Sequence, residues 1–179
     1  GSKLIVWLSP LHRESWFWVY PELRMEHFLV CPSPVNSSLF YDLKLPREGV
    51  IAVDSLHPFK GRERVIGWAT SNPQVPVTFA GGNPFPSEPL PNNCKVVDWM
   101  DYGHMNELYN GFKALLHLPT SPSPFDRTVA EAYLAGCDVI GNKLVGALSY
   151  PWFKGRAQVA EHCSNSPREF WDGVERALR

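Results

Sequence analysis

The sequence is poor in cysteine, has no long apolar run and carries almost no net charge. Its four cysteines, Cys31, Cys94, Cys137 and Cys163, are scattered over 179 residues. No C-x-x-C pair or zinc-knuckle spacing occurs, and so few cysteines cannot staple a domain of this size. They read as buried thiols in a reducing compartment. No stretch approaches the roughly 20 apolar residues needed to span a bilayer. Seventeen Lys and Arg face 18 Asp and Glu, a net charge of −1. That balance excludes a globally basic nucleic-acid binder and an acidic tail protein. His12, His27, His57, His104, His117 and His162 never fall at H-x-x-x-H spacing, so no metal site is expected. There is no G-x-G-x-x-G, Walker A or G-x-S-x-G motif, which disfavours dinucleotide, P-loop and serine-hydrolase chemistry. No secretory signal follows Gly1-Ser2, a pair that resembles a cloning scar on a piece of a longer protein. The expected location is the cytoplasm, or the membrane periphery for the full-length protein.

What is abundant is punctuation: 17 prolines and 13 glycines. Lys3–Leu8 reads as a strand, Ser15–His27 as a weak helix broken at Pro21, and Phe28–Cys31 as a short strand. Residues 32–48, with their prolines and turn formers, read as a linker pinned by Leu39, Phe40 and Tyr41. After it the pattern becomes regular. Strands are expected at Gly49–Asp54, Val75–Ala80, Lys95–Trp99, Ala114–Leu118 and Asp138–Gly141. Helices are expected at Gly61–Thr70, Met105–Phe112, Val129–Ala135 and Pro167–Leu178. Phe170, Trp171, Val174 and Leu178 lie at helical spacing in the last of these.

Continuously apolar strands alternating with helices predict an α/β domain with a doubly wound, mostly parallel sheet of five or six strands. Such sheets bind ligands at the carboxyl ends of their strands, beside the topological switch point. The division expected is residues 1–48 as scar, end of a preceding domain and linker, and 49–179 as the ligand-binding domain.

Two loops on that edge carry chemistry. After the strand ending at Leu118 come Pro119 to Thr128 and then a helix. Its free N–H groups and positive end suit an anion. Ser123 fits an N-cap and Pro124 a first turn. Glu131, one to two turns in, can reach a ligand resting on the helix start. After the strand ending at Asp54, Lys60 stands in a strand-to-helix loop suited to phosphate. Each feature alone reads better as a helix cap, a solvated Glu or a surface Lys. Together they favour a phosphorylated ligand. His57 faces the same region, Gly81 and Gly82 end a strand there, and Trp99 ends the next strand, with Met100 and Tyr102 after it. His117, within a strand, reads as a satisfied core residue.

These residues resemble the carboxyl-terminal, nucleotide-sugar-binding domain of GT-B-type retaining glycosyltransferases of the group 1 family. The resemblance rests on Val53-Asp54-Ser55-Leu56-His57-Pro58-Phe59-Lys60-Gly61, similar to the family's strand, G-R-L-like turn and Lys-Gly pair. It rests also on Ser123-Pro124-Phe125-Asp126-Arg127-Thr128-Val129-Ala130-Glu131-Ala132 and Gly136, similar to E-P-F-G-R-T-x-x-E-A-x-L-x-G-C. Asn36 to Phe40 resembles the family's interdomain segment. Val97–Met100 with Asn106–Tyr109 resembles the strand and helix near the base. The match runs from about residue 30 to 145 in the family's order.

The resemblance implies a Rossmann-like half of a GT-B fold. It implies transfer of a sugar from a nucleoside-diphosphate sugar, with retention, to a carbohydrate or glycan acceptor bound by a separate amino-terminal domain. It implies Lys60 on the diphosphate as the catalytic cation, Glu131 on the ribose hydroxyls, and donor contacts from Ser55, Ser123, Phe125, Asp126, Arg127 and Thr128. His57, Gly81, Gly82, Trp99 and Met100 would border the base. No cofactor or metal is expected, since basic side chains take the metal's role. Three positions depart from the pattern. Ser55 replaces an Arg, Ser123 replaces the first Glu of the E-x7-E pair, and Asp126 replaces a Gly close to phosphate. Arg127 is expected to offset Asp126 by pairing with it or with phosphate. The departures motivate an alternative, a degenerate, non-catalytic Rossmann-like binding module.

Overall fold

The computed structural model describes residues 4–21 and 28–179. It contains two parallel sheets. The smaller pairs β1 (Ile5–Trp7) with β2 (Phe28–Val30). The larger has five strands: β3 (Val50–Val53), β4 (Val77–Ala80), β5 (Cys94–Val97), β6 (Ala114–His117) and β7 (Asp138–Gly141). Their order is β5-β4-β3-β6-β7, and every pairing is parallel. The doubly wound α/β expectation therefore holds. β4 and β6 are buried along their whole length, because helices cover both faces and each side chain, up or down, meets apolar neighbours. One core layer gathers around Ile51, Leu115 and Val129, the other around Ala52, Val65 and Leu116.

The helices are α1 (Pro10–Val19), α2 (Arg62–Ser71), α3 (Met105–Asn110), α4 (Arg127–Leu134) and α5 (Arg156–Leu178). Three differ from expectation. α1 begins at Pro10 instead of Ser15, because Ser9 accepts the His12 N–H and Pro10 occupies the first turn. Part of the predicted segment, residues 22–27, lies outside the described residues, as does Lys3 of the predicted first strand. α4 begins at Arg127, with Asp126 and not Ser123 at the N-cap. α5 begins eleven positions before the expected Pro167 and runs through that proline. Packing against α4 and the core sustains it there, with Val159 and Cys163 buried. The predicted apolar stripe of its second half stays partly in solvent, with Trp171 and Leu178 exposed.

Residues 31–49 contain no helix or strand, yet they are firmly attached. Phe40 is buried in the main core, whereas Leu39 and Tyr41 are exposed; one of the three expected pins does the work. Polar contacts do the rest. Asn106 and Asn110 accept the Tyr41 and Leu43 N–H groups. The Arg47 guanidinium donates to Asp42, to Asn110 and to the Ala135 carbonyl at the end of α4, at 2.7, 2.8 and 2.8 Å. At the far side, α5 reaches the small sheet: Cys31 Sγ donates to the Ser166 carbonyl at 3.3 Å.

Candidate functional site

The chain passes from β3 outward to β4 and β5, then returns to place β6 on the other side of β3. The loops leaving β3 and β6 therefore part at a switch point, where a crevice opens at the carboxyl edge. They meet at Gly61, whose φ is +96° and where a Cβ would lie 2.1 Å from the Leu118 carbonyl oxygen. Only glycine combines that backbone with that approach.

A cleft of about 290 Å³ opens along this edge. Val53 and Ala80 form its floor, at the ends of β3 and β4. Gly81, Trp99 and Met100 form one wall, and Tyr102, Met105 and Tyr109 a second. Arg127, Thr128 and Glu131 bring in the first two turns of α4. Gly81 has φ +110°, and a Cβ on it would touch the Trp99 ring at 3.4 Å; its lack of a side chain lets the indole lie over the strand end. Trp99 is 69% exposed and presents an open aromatic surface.

Glu131 is the polar centre of the cleft. It is only 5% exposed, and Oε1 accepts a hydrogen bond from the Tyr102 hydroxyl at 3.0 Å. Burial raises its carboxyl above the ordinary value, while the Tyr102 hydrogen bond and the nearby Arg127 act the other way. Tyr102 is itself pushed up to about 12, by burial first and then by the Glu131 charge. A buried carboxylate held this way is a strong acceptor for ligand hydroxyl groups.

The shift has a consequence for stability. A group whose value rises on folding contributes most below its unfolded value, and that contribution is lost as pH rises through the folded one. At about pH 7 the buried charge of Glu131 opposes folding. Glu131→Gln is thus expected to raise the melting temperature at about pH 7, with the gain shrinking towards about pH 4. Thermal melts at both pH values check this, and a lower melting temperature at neutral pH would contradict it.

The remaining predicted residues divide into two groups. Lys60 and His57 stand on the same edge outside the cleft walls, on either side of Asp54. Lys60 Nζ lies 3.8 Å from Asp54 Oδ2 and His57 Nε2 lies 3.7 Å from Oδ1. Asp54 has φ +52°. Ser55 does not reach the edge: it is buried, and its hydroxyl donates to the Val53 carbonyl. Phe125 is buried in the core, so its ring cannot touch a ligand in the cleft. Gly82 lies beyond the cleft, with φ +78°.

Ser123 and Asp126 belong to a second cluster. Ser123 Oγ accepts from the Gly146 N–H and shares its proton between the Leu144 carbonyl and Asp126 Oδ2. This is why α4 does not start at Ser123: bonds to the loop after β7 hold that residue. Asp126 sits at the N-cap with φ +68°, a left-handed conformation that costs a non-glycine residue about 1 kcal/mol or more. Its carboxylate does not cap the helix. The expected ion pair between Asp126 and Arg127 is absent among the described residues. Asp126 Oδ2 instead lies 3.3 Å from His117 Nε2. His117 is buried, and neither ring nitrogen has a hydrogen bond of good geometry among the described residues. It is therefore not the satisfied core residue expected.

Sequence reasoning missed His117 and the cleft residues Val53, Ala80, Met105 and Tyr109. Tyr109 was discoverable, since it shares one buried helix face with Asn106 and Asn110. His117 was not, because only the tertiary fold sets it against Asp126. No group of three or more His, Cys, Asp or Glu able to hold a metal occurs among the described residues. No helix there is long and apolar enough to cross a membrane.

No protein-family model matches the chain, and no curated protein matches it. Solved structures do. A glycosyltransferase from Rickettsia africae superposes with a TM-score of 0.72 at 13% identity, over 97% of this chain and 63% of that one. Sucrose-phosphate synthase from Thermosynechococcus elongatus gives 0.66 at 19% identity, over 99% and 54%. Anabaena HepE in complex with UDP-glucose gives 0.65 at 20% identity, over 98% and 56%. The chain thus spans little more than half the length of these structures. The likeness shows the fold: the five-stranded parallel sheet and its helices have the architecture of the carboxyl-terminal half of a GT-B glycosyltransferase.

Proposed function

We propose that this chain is the donor-binding half of a retaining glycosyltransferase, with residues 49–179 taking a nucleoside-diphosphate sugar. The observation that carries the reading is the switch-point cleft. It sets the buried Glu131 carboxylate, the first turns of α4 and an open Trp99 surface along one edge, with Lys60 beside them. The complexes of HepE with UDP-glucose and of pneumococcal GtfA with UDP and GlcNAc support it, since both proteins share the fold.

In this reading Glu131 accepts the ribose hydroxyls, and the base rests against Trp99, Met100 and Gly81. The diphosphate lies at the α4 N-terminus within reach of Lys60 and Arg127. Breaking the sugar–phosphate bond leaves extra negative charge on the diphosphate. The α4 amides are already oriented towards that charge, and Lys60, drawn from Asp54 when the diphosphate binds, stabilises it with them as it forms. The acceptor, a carbohydrate or glycan, is held by a further, amino-terminal domain. The chain alone is expected to bind nucleotide and to turn over poorly.

Calorimetric titration with UDP, GDP, ADP and dTDP tests the reading. Micromolar-to-millimolar binding of one of them is expected. Since the positive charge comes from side chains and backbone, adding EDTA is expected to leave that affinity unchanged. A loss of binding in EDTA would place a metal in the site. A second reading, a non-catalytic Rossmann-like module with no donor site, is favoured by two carboxylates, Asp54 beside Lys60 and Asp126 at the α4 N-cap. Failure to bind any of the four nucleotides would select it.

A further inference from the structure

We propose that the groove between the start of α2 and the loop after β4 is a second binding site, separate from the cleft. It takes a small molecule by an oxyanion, a phosphate or a carboxylate, gripped by the buried Arg62 guanidinium.

The groove holds about 870 Å³ and shares no residue with the cleft. The first turn of α2 forms one side, and Phe85, Glu88 and Pro89 of the loop after β4 form the other. α2 contributes Val65 to the core layer of Ala52 and Leu116, whereas α4 contributes Val129 to the layer of Ile51 and Leu115. Neighbouring residues of one strand point to opposite faces of a sheet. The groove therefore lies on the α2 face and the cleft on the α4 face.

Arg62 opens α2, and its side chain is only 8% exposed. Nη2 donates to Glu88 Oε2 at 2.6 Å. Nη1 is buried and has no hydrogen-bond partner among the described residues. The Phe85 ring stands over the guanidinium, its centroid 5.1 Å from Cζ. A buried N–H without an acceptor is costly, and a guanidinium offers a carboxylate or phosphate two parallel bonds where Glu88 takes one. Glu88 is thus an incomplete stand-in for a ligand oxyanion. It is 57% exposed, in a segment, residues 81–93, without helix or strand. Its carboxylate can leave for water without disturbing the core, and since Arg62 lines the groove, the guanidinium then opens to it.

An oxyanion bound to both Nη1 and Nη2 satisfies the orphaned N–H. Arg64 lines the same groove, with Nη1 anchored on the Pro119 carbonyl at 2.6 Å. Glu63 lines it too. With Glu88 displaced, two guanidinium groups face one carboxylate, a balance that favours an anion. The volume far exceeds that of an inorganic ion. Pro58, Ile66, Phe85 and Pro89 offer apolar surface to the body that carries the charged group.

The test titrates the isotope-labelled chain with phenyl phosphate, with benzoate and with benzyl alcohol as an uncharged control. Backbone amide and guanidinium NMR signals are followed. Saturable shifts confined to residues 62–67 and 85–89 are expected from at least one anion, with a Kd of about 0.1–1 mM, and none from benzyl alcohol. A response to phenyl phosphate alone would name the ligand a phosphate, and a response to benzoate alone a carboxylate. Arg62→Lys keeps the charge and loses the fork, and should weaken this binding about tenfold. Glu88→Gln, at an exposed position that the fold does not need, removes the competing carboxylate and should tighten it several-fold. No shift in the groove with either anion would overturn the proposal. So would equal shifts with benzyl alcohol, or an affinity that Glu88→Gln leaves unchanged. None of these results bears on nucleotide binding in the cleft.

Discussion

Replacing Lys60 by Ala is expected to weaken nucleoside-diphosphate binding by about 10- to 100-fold, the loss of one hydrogen bond between charged groups. Lys60 ends the short turn of residues 58–60 after β3 and is half-exposed. Without ligand its ammonium group stands 3.8 Å from Asp54 Oδ2, a separation that leaves it weakly held. A diphosphate carries more charge than Asp54 and offers several oxygens, so it should draw the ammonium away. Asp54→Asn should then tighten nucleotide binding several-fold, because the competing carboxylate is gone. Calorimetry on both variants decides the point. If Lys60→Ala binds as well as the unaltered chain, Arg127 and the α4 amides hold the diphosphate without it.

Gly61→Ala is expected to destabilise the fold by about 2–5 kcal/mol, from a methyl group driven into backbone and a φ that alanine resists. The added Cβ would lie 2.1 Å from the Leu118 carbonyl oxygen and 3.4 Å from the Pro119 Cα. Neither contact is a flexible side-chain end, so the two loops must separate. Out of a total stability of about 5–15 kcal/mol for an ordinary domain, that is a large share. Because these loops carry Lys60 and lead into α4, nucleotide binding should fall with stability. Urea denaturation measures the first effect and calorimetry the second. An unchanged midpoint would mean that the β3 and β6 loops are not in contact at Gly61. Gly67, on the open side of α2, is the control: a Cβ there meets nothing within 4 Å. Alanine at that position should be neutral or stabilising.

The strands of the larger sheet were legible because each is a short apolar run with polar punctuation. Val50-Ile51-Ala52 and Leu115-Leu116 can be nothing but buried, and burial on both faces marks a parallel sheet. Glu131 was legible for a different reason, its distance along α4 from a loop suited to an anion. Helix starts were read less well. At α1 the start signal lies in Ser9-Pro10, ahead of the stretch that places the expected start at Ser15. At α4 the local signal, Ser123-Pro124, was real but outcompeted by tertiary bonds from Leu144 and Gly146. At α5 the proline that marked a start lies inside the helix, where packing of Val159 and Cys163 outweighs its missing N–H.

The sequence by itself determined the alternation of strand and helix, the parallel sheet and the two loops on which the proposed site rests. Those are local properties: periodicity, apolar runs and the turn residues between them. Only the tertiary structure decided that β6 returns to the far side of β3, which brings the Gly61 turn against Leu118. Only it set Tyr102 on Glu131, turned Ser55 inward, and placed a buried histidine against Asp126. The physical reason is that a strand's pattern encodes whether it is buried and not which strand lies beside it. Strand order follows from contacts between distant segments, and side-chain partners from the packing that those contacts complete.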